Sequence, residues 1–178
     1  MEEGCHWKDR PGEIYRDLNK IQLEHCGIEP TVELVDKIQE AYKDAKNQAL
    51  YDDVLPTLKE LKRWGYLLGT LTGGLSVDME HRLKLFGIRD YFEHIVATAT
   101  LPFGKPEPET FHYILKLTGL TPEEMAYVGD NYEQDIVAAT KVGILAILVV
   151  RNKKYSALDC NRVTDLRNIF DFLNGGNN

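Results

Sequence analysis

The sequence predicts a doubly wound α/β fold, a parallel sheet covered by helices on both faces, with a small helical segment in front of it. Three observations predict this. From Tyr51 onward, short apolar runs alternate with amphipathic stretches, the pattern of βαβ units. Glycines fall just past those stretches at Gly65, Gly87, Gly119 and Gly143, and prolines sit near their starts at Pro56 and Pro108. Before Tyr51 there is no strand pattern, and apolar residues recur only at helical spacing.

Residues 1–51 form the expected helical segment. Ile14, Leu18, Ile21 and Leu23 mark the apolar positions of one helix, and Leu34, Val35, Ile38 and Tyr42 those of a second. Gly27 suits the C-cap of the first, and Thr31 after Pro30 suits the N-cap of the second. Residues 52–178 form the expected α/β core. Its elements are helix Leu55 to Trp64, strand Tyr66 to Leu71, helix Val77 to Phe86, strand His94 to Ala97 and helix Pro108 to Leu117. Strand Met125 to Val128, helix Gln134 to Val142 and strand Ala146 to Val150 complete it.

Composition narrows the class of function. At 178 residues, 43% hydrophobic and 28% charged, the chain has the make-up of an ordinary globular domain able to bury a core. A net charge of −7, with no run of Lys or Arg longer than a pair such as Lys153-Lys154, gives no support to a nucleic-acid or anionic-membrane surface. Small molecules or proteins are the expected partners. The longest apolar run, Ile144 to Val150, is far short of the ~20 residues of a membrane helix, and the start MEEGCHWKDRPGE has no secretory pattern. A cytoplasmic location is expected. Cys5, Cys26 and Cys160 are scattered without CxxC spacing, which fits a reducing compartment without disulfides. Cys5-His6 and His25-Cys26 lack finger-type spacing for zinc.

In an open parallel sheet, ligands bind beyond the carboxyl ends of the strands, so the residues following each strand carry the function. Thr72-Gly73-Gly74 follows the first predicted strand. Lys105, in FGKPEPETF, follows the second, and Gly129-Asp130 with Asp135 beyond follows the third. The Thr72 hydroxyl and two glycines ahead of a helix suit a phosphate, though the same residues also make a tight turn. Gly104 and Pro106 stiffen the loop around Lys105, as an anion-stabilising ammonium requires, whereas a lone lysine is otherwise a solvated charge. Asp130, at a strand end, presents a carboxylate to a magnesium ion. Asp135 falls in a first helical turn, where it either serves the same site or caps the helix.

Thr72-Gly-Gly, Lys105-Pro and Gly129-Asp130-x4-Asp135, in this order, resemble the second, third and fourth signature motifs of the haloacid dehalogenase-like hydrolases. The resemblance runs from Asp53 to about Val150, with the preceding helices similar to the family's inserted cap. It implies a Rossmann-like core and a phosphatase-type reaction through an aspartyl-phosphate, with magnesium clamping the phosphoryl oxygens. It also implies residue roles: Thr72, with Gly73 and Gly74, binds the phosphoryl group, and Lys105 neutralises its charge. Asp130 ligates magnesium, and Asp135 supports the metal or orients Lys105. The substrate implied is a small phosphorylated metabolite, with dehalogenation the minor alternative.

One motif is missing. The family's first motif, Asp-x-Asp at the end of the central strand, occurs nowhere in the sequence, so nucleophile and acid/base are absent and Asp52 and Asp53 lie beyond the cap hinge. Residues 1–11 are polar and carry no strand pattern. Magnesium is therefore expected to bind weakly or not at all, and turnover to be absent. The sheet is expected to expose two unpaired edges, which favour a homodimer. The main expectation is an N-terminally truncated hydrolase lacking roughly 20 to 40 residues. The alternative is a non-catalytic protein that binds a phosphorylated ligand or a protein partner. A receiver domain, which also combines acidic residues and a lysine on a parallel sheet, has a different motif order and no place for the helices.

Overall fold

The computed structural model describes residues 13–151, 155 and 158–173. Cys5, His6, the polar start and the Lys153-Lys154 pair lie outside the described residues.

Two helices come first, α1 (Ile14–His25) and α2 (Val32–Lys43), packed against each other. Val35 and Leu23 are buried, and Arg16 forms an ion pair with Asp36 of the facing helix. The Thr31 hydroxyl accepts the Leu34 amide at 3.3 Å, satisfying one of the free N–H groups that open α2.

The α/β part begins with α3 (Val54–Arg63). Strand β1 (Gly69–Thr72) and strand β2 (His94–Ala97) pair in parallel, joined by α4 (Ser76–Leu85). Helix α5 (Pro108–Thr118) follows and closes on Gly119, whose φ of 72° is the left-handed conformation that only glycine adopts freely. Strand β3 (Ala126–Gly129) leads into a π-helical turn (Tyr132–Val137) that runs directly into α6 (Ala138–Lys141). Strand β4 (Leu145–Val149) pairs in parallel with both β3 and β5 (Arg162–Val163), and a 3₁₀ turn (Leu166–Ile169) and α7 (Phe170–Leu173) end the described chain.

The strands form two sheets, β1-β2 and β3-β4-β5, and every strand pair is parallel. Among the described residues no strand pairs with the outer edge of β1 or of β3. Helix α3 spans both sheets: its Leu61 packs with Ile147 and Val163, while Leu58, one turn earlier, packs with Leu83 and Ile88. Burying such a leucine contributes roughly 1.5–3 kcal/mol, so α3 acts as a splint. Leu71 of β1 reaches the cluster around Phe111, Ile136 and Leu148.

Two boundaries of the core elements differ from the sequence expectation by more than one residue. The first strand begins at Gly69 instead of Tyr66, because the Tyr66 amide returns to the Leu61 carbonyl (3.0 Å) and so still closes α3. The helix expected from Gln134 begins at Tyr132, because the Asn131 side chain accepts the Gln134 amide at 3.0 Å and makes Asn131 the cap. The sequence reading assigned no helix or strand beyond Val150. Strand β5 and the last turns are too short to show a period.

Candidate functional site

The carboxyl ends of the strands carry the residues of interest. At the end of β1 the Thr72 hydroxyl accepts the Gly74 amide at 3.2 Å, and the Thr72 carbonyl accepts the Thr98 hydroxyl at 3.4 Å. Thr98 packs on the lysine loop, where a Cβ at Gly104 would touch its hydroxyl at 3.5 Å. The loop itself is pinned by Glu107, whose carboxylate accepts the Gly104 amide (2.9 Å) and whose own amide donates to the Gly104 carbonyl (2.8 Å). The Lys105–Pro106 peptide is cis.

Lys105 reaches inward to Asp135. Its ammonium donates to Asp135 Oδ1 at 2.6 Å and to the Tyr127 hydroxyl at 3.4 Å, and that hydroxyl donates to Asp135 Oδ1 at 3.1 Å. Asp135 Oδ2 accepts the amides of Asp130 (3.2 Å) and Asn131 (3.0 Å). The carboxylate is 2% exposed and receives four donors, so its charge is fully engaged. Its two oxygens thus join Lys105 to the backbone of the turn after β3. Burial, and then the Asp135 charge, push the Tyr127 hydroxyl well above the usual tyrosine range, which keeps it protonated and donating. Phe111 meets the Tyr127 ring edge-on at 5.1 Å and walls off this cluster.

Gly129 is what allows the cluster to close. A Cβ there would lie 2.4 Å from Asp135 Cβ, so any larger residue would push the turn off the strand. Strand residues two apart share a face, which places Tyr127 and Gly129 together beneath Asp135. That alternation was the signal by which the sequence could have revealed Tyr127.

Asp130 is exposed, and its carboxylate forms no hydrogen bond or ion pair with any described residue. Asp130, Lys105 and Asp135 line a cavity of about 580 Å³ that Tyr51 and Arg151 also line. Thr72, Gly73 and Gly74 do not line it; they reach the lysine loop through Thr98.

Half-buried Arg151 and its buried partner Asp53 are a second ion pair that the sequence reading did not single out. Asp53 accepts two guanidinium bonds (2.7 and 2.9 Å) and the Leu166 amide (2.7 Å). Arg151 also donates to the Thr164 carbonyl at 3.0 Å and lies 4.3 Å over the Tyr51 ring. The hydrogen bonds from Arg151 hold Asp53 below the usual carboxylate range. This node is built into the start of α3 and has no free carboxylate oxygen to offer.

The donor set fits only part of a magnesium shell. Among the described residues no group of three His, Cys, Asp or Glu side chains gathers as metal ligands. Magnesium takes six oxygens and is often held by one or two carboxylates plus phosphate oxygens and waters, so Asp130 alone supplies a minimal anchor. Among the described residues no helix is long and apolar enough to cross a membrane.

Comparison with known proteins follows the same lines. The model of the haloacid dehalogenase-like hydrolase family matches residues 10–149. A glyceraldehyde 3-phosphate phosphatase of Methanopyrus kandleri is 32% identical over 157 residues, covering 79% of this chain and 67% of the relative. A phosphoserine phosphatase of Thermus thermophilus is 31% identical, covering 83% of this chain and 60% of the relative. The chain thus spans about two thirds or less of the length of these curated relatives. The crystal structure of a HAD phosphatase from Thermococcus onnurineus superposes with a TM-score of 0.70 at 25% identity, covering 90% of this chain and 87% of that one.

Proposed function

Because the chain belongs to the haloacid dehalogenase-like hydrolases, we propose that it is the phosphate- and metal-binding part of a magnesium-dependent phosphatase acting on a small phosphorylated metabolite. The observation that carries this reading is the buried Lys105–Asp135–Tyr127 cluster beside the free Asp130 carboxylate, at the carboxyl ends of parallel strands. Asp135 and Tyr127 fix the direction of the Lys105 ammonium before any ligand arrives, so its charge needs no reorganisation to face a phosphoryl oxygen. The Thr72 hydroxyl, outside the cavity that Lys105 lines but tied to the lysine loop through Thr98, accepts the Gly74 amide and keeps its own proton to donate to a phosphoryl group. Asp130 would hold magnesium, which when bound neutralises charge on the phosphoryl oxygens. Relatives that act on glyceraldehyde 3-phosphate and phosphoserine support a short, polar phosphomonoester as substrate.

The sequence holds no Asp-x-Asp, so covalent turnover needs a carboxylate from outside these 178 residues, supplied by a longer form of the protein. The unpaired edges of β1 and β3 are where a strand carrying it would sit. The missing motif also favours a second reading, a non-catalytic protein that binds a phosphorylated ligand or a protein partner, with a homodimer formed through the open edges. Residues 1–51 would act as the cap and 52–178 as the core, in the cytoplasm.

Calorimetric titration of inorganic phosphate in the presence of magnesium tests the site. Binding that needs both magnesium and Lys105 is expected, together with background-level hydrolysis of p-nitrophenyl phosphate. Equal phosphate affinity in Lys105→Met would overturn the site assignment, and vigorous hydrolysis by the chain alone would overturn the need for an added carboxylate.

A further inference from the structure

A contact between the helical segment and the β1 loop adds a residue to this site. A Cβ on Gly74 would lie 2.4 Å from the Tyr15 hydroxyl oxygen and 3.7 Å from Thr72 Oγ1. One point thus stands close to two hydroxyl groups brought from different parts of the chain. Tyr15 comes from the first turn of α1, is 38% exposed, and has no hydrogen-bond partner among the described residues. Thr72 Oγ1 accepts the Gly74 amide, which leaves its proton unassigned. Two hydroxyls near one point above a glycine loop, neither donating to an acceptor among the described residues, suit an anion with several oxygens.

Resting on the reading of the Thr72 loop as a phosphoryl cradle, we propose that Tyr15 is a second hydroxyl donor to the bound phosphoryl group, bracketing the dianion with Thr72. Gly74 is glycine because the Tyr15 hydroxyl occupies the space where a side chain would start. The backbone there is of the kind any residue adopts, so a methyl group at this position is opposed only by what it meets. What it meets is the tip of a tyrosine, which can swing away. Gly74→Ala should therefore act by displacing the Tyr15 hydroxyl, without disturbing the loop.

The test titrates inorganic phosphate with magnesium into the 178-residue chain, following the amide resonances of Gly73 and Gly74. Tyr15→Phe removes one oxygen and should weaken phosphate about tenfold, the scale of a hydrogen bond to a charged group. Gly74→Ala should weaken it by a similar factor, and the double variant no further than either single one, because both remove the same contact. Unchanged unfolding midpoints show that the losses are local. If Tyr15→Phe binds phosphate as the unmodified chain does while Thr72→Ala loses it, the inference fails and the phosphoryl cradle stands. If the two single effects add, the shared contact is refuted. If phosphate moves neither amide in the unmodified chain, inference and cradle fall together.

Discussion

Replacing Asp135 with asparagine isolates what the buried cluster contributes. The side chain keeps its shape, and its oxygen can still accept the amides of Asp130 and Asn131. Its NH₂ group then faces the Lys105 ammonium and the Tyr127 hydroxyl, donors that approach Asp135 Oδ1 at 2.6 and 3.1 Å. The side chains of Lys105 and Asp135 are only 15% and 3% exposed, so water offsets little of the lost charge. Removing one partner of a buried pair costs about 3–5 kcal/mol, a large share of the roughly 5–15 kcal/mol that holds a domain folded. The urea midpoint should fall by about 1 to 2 M at ordinary slopes for a domain of this size. Lys105→Met should cost less, about 1–3 kcal/mol, because Asp135 keeps Tyr127 and two amides. The double variant should cost less than the sum by more than about 1 kcal/mol. Urea unfolding followed by circular dichroism on all four proteins closes the cycle. Additive losses, or an Asp135→Asn loss under about 1 kcal/mol, would refute a charge pair that orients Lys105.

Asp130→Asn should leave the unfolding midpoint within about 0.5 kcal/mol of the parent, since its carboxylate holds nothing in the fold, yet abolish the magnesium dependence of phosphate binding; calorimetry with and without magnesium decides. Gly129→Ala should destabilise by about 1–3 kcal/mol or more, because the new methyl meets Asp135 Cβ at 2.4 Å, and urea unfolding measures it. Asp53 carries a pH signature. Arg151 lowers its pKa from 3.8 in the folded state, so the pair's stabilisation is complete above the unfolded value and is lost as pH falls through the folded one. Stability measured from pH 7 to pH 3 should therefore fall more steeply in the parent than in Asp53→Asn, and equal slopes would refute it.

The sequence showed the alternation, caps and motif positions because they rest on local chemistry: Gly119 closing α5, Thr31 opening α2, strand His94–Ala97 at its expected bounds. It put Lys105, Asp130 and Asp135 in segments that follow strands, and in the structure the three line one cavity. What it could not show depends on partners distant in the chain. Asp53 looked like one of two acidic residues at a hinge until Arg151 and Leu166 arrived from the other end of the sequence. Tyr127 looked like ordinary strand filling, because its value lies in a hydroxyl aimed at two side chains from separate loops. Tyr15 was not among the residues the first helix's spacing marked, and only the fold sets it over Gly74.

The Asp53 node also bears on the order in which the chain assembles. Its bonds span 98 residues to Arg151 and 113 to Leu166, so the first turn of α3 is completed only after the chain's far end has docked. Contacts of such separation close late, because loop entropy must be lost before they form. Amide protons at the start of α3 and at Leu166 should therefore exchange with solvent as one unit, more readily than those of β4 at the centre of its sheet. A ribosome making this chain would hold α3 unlatched until its final few dozen residues emerged.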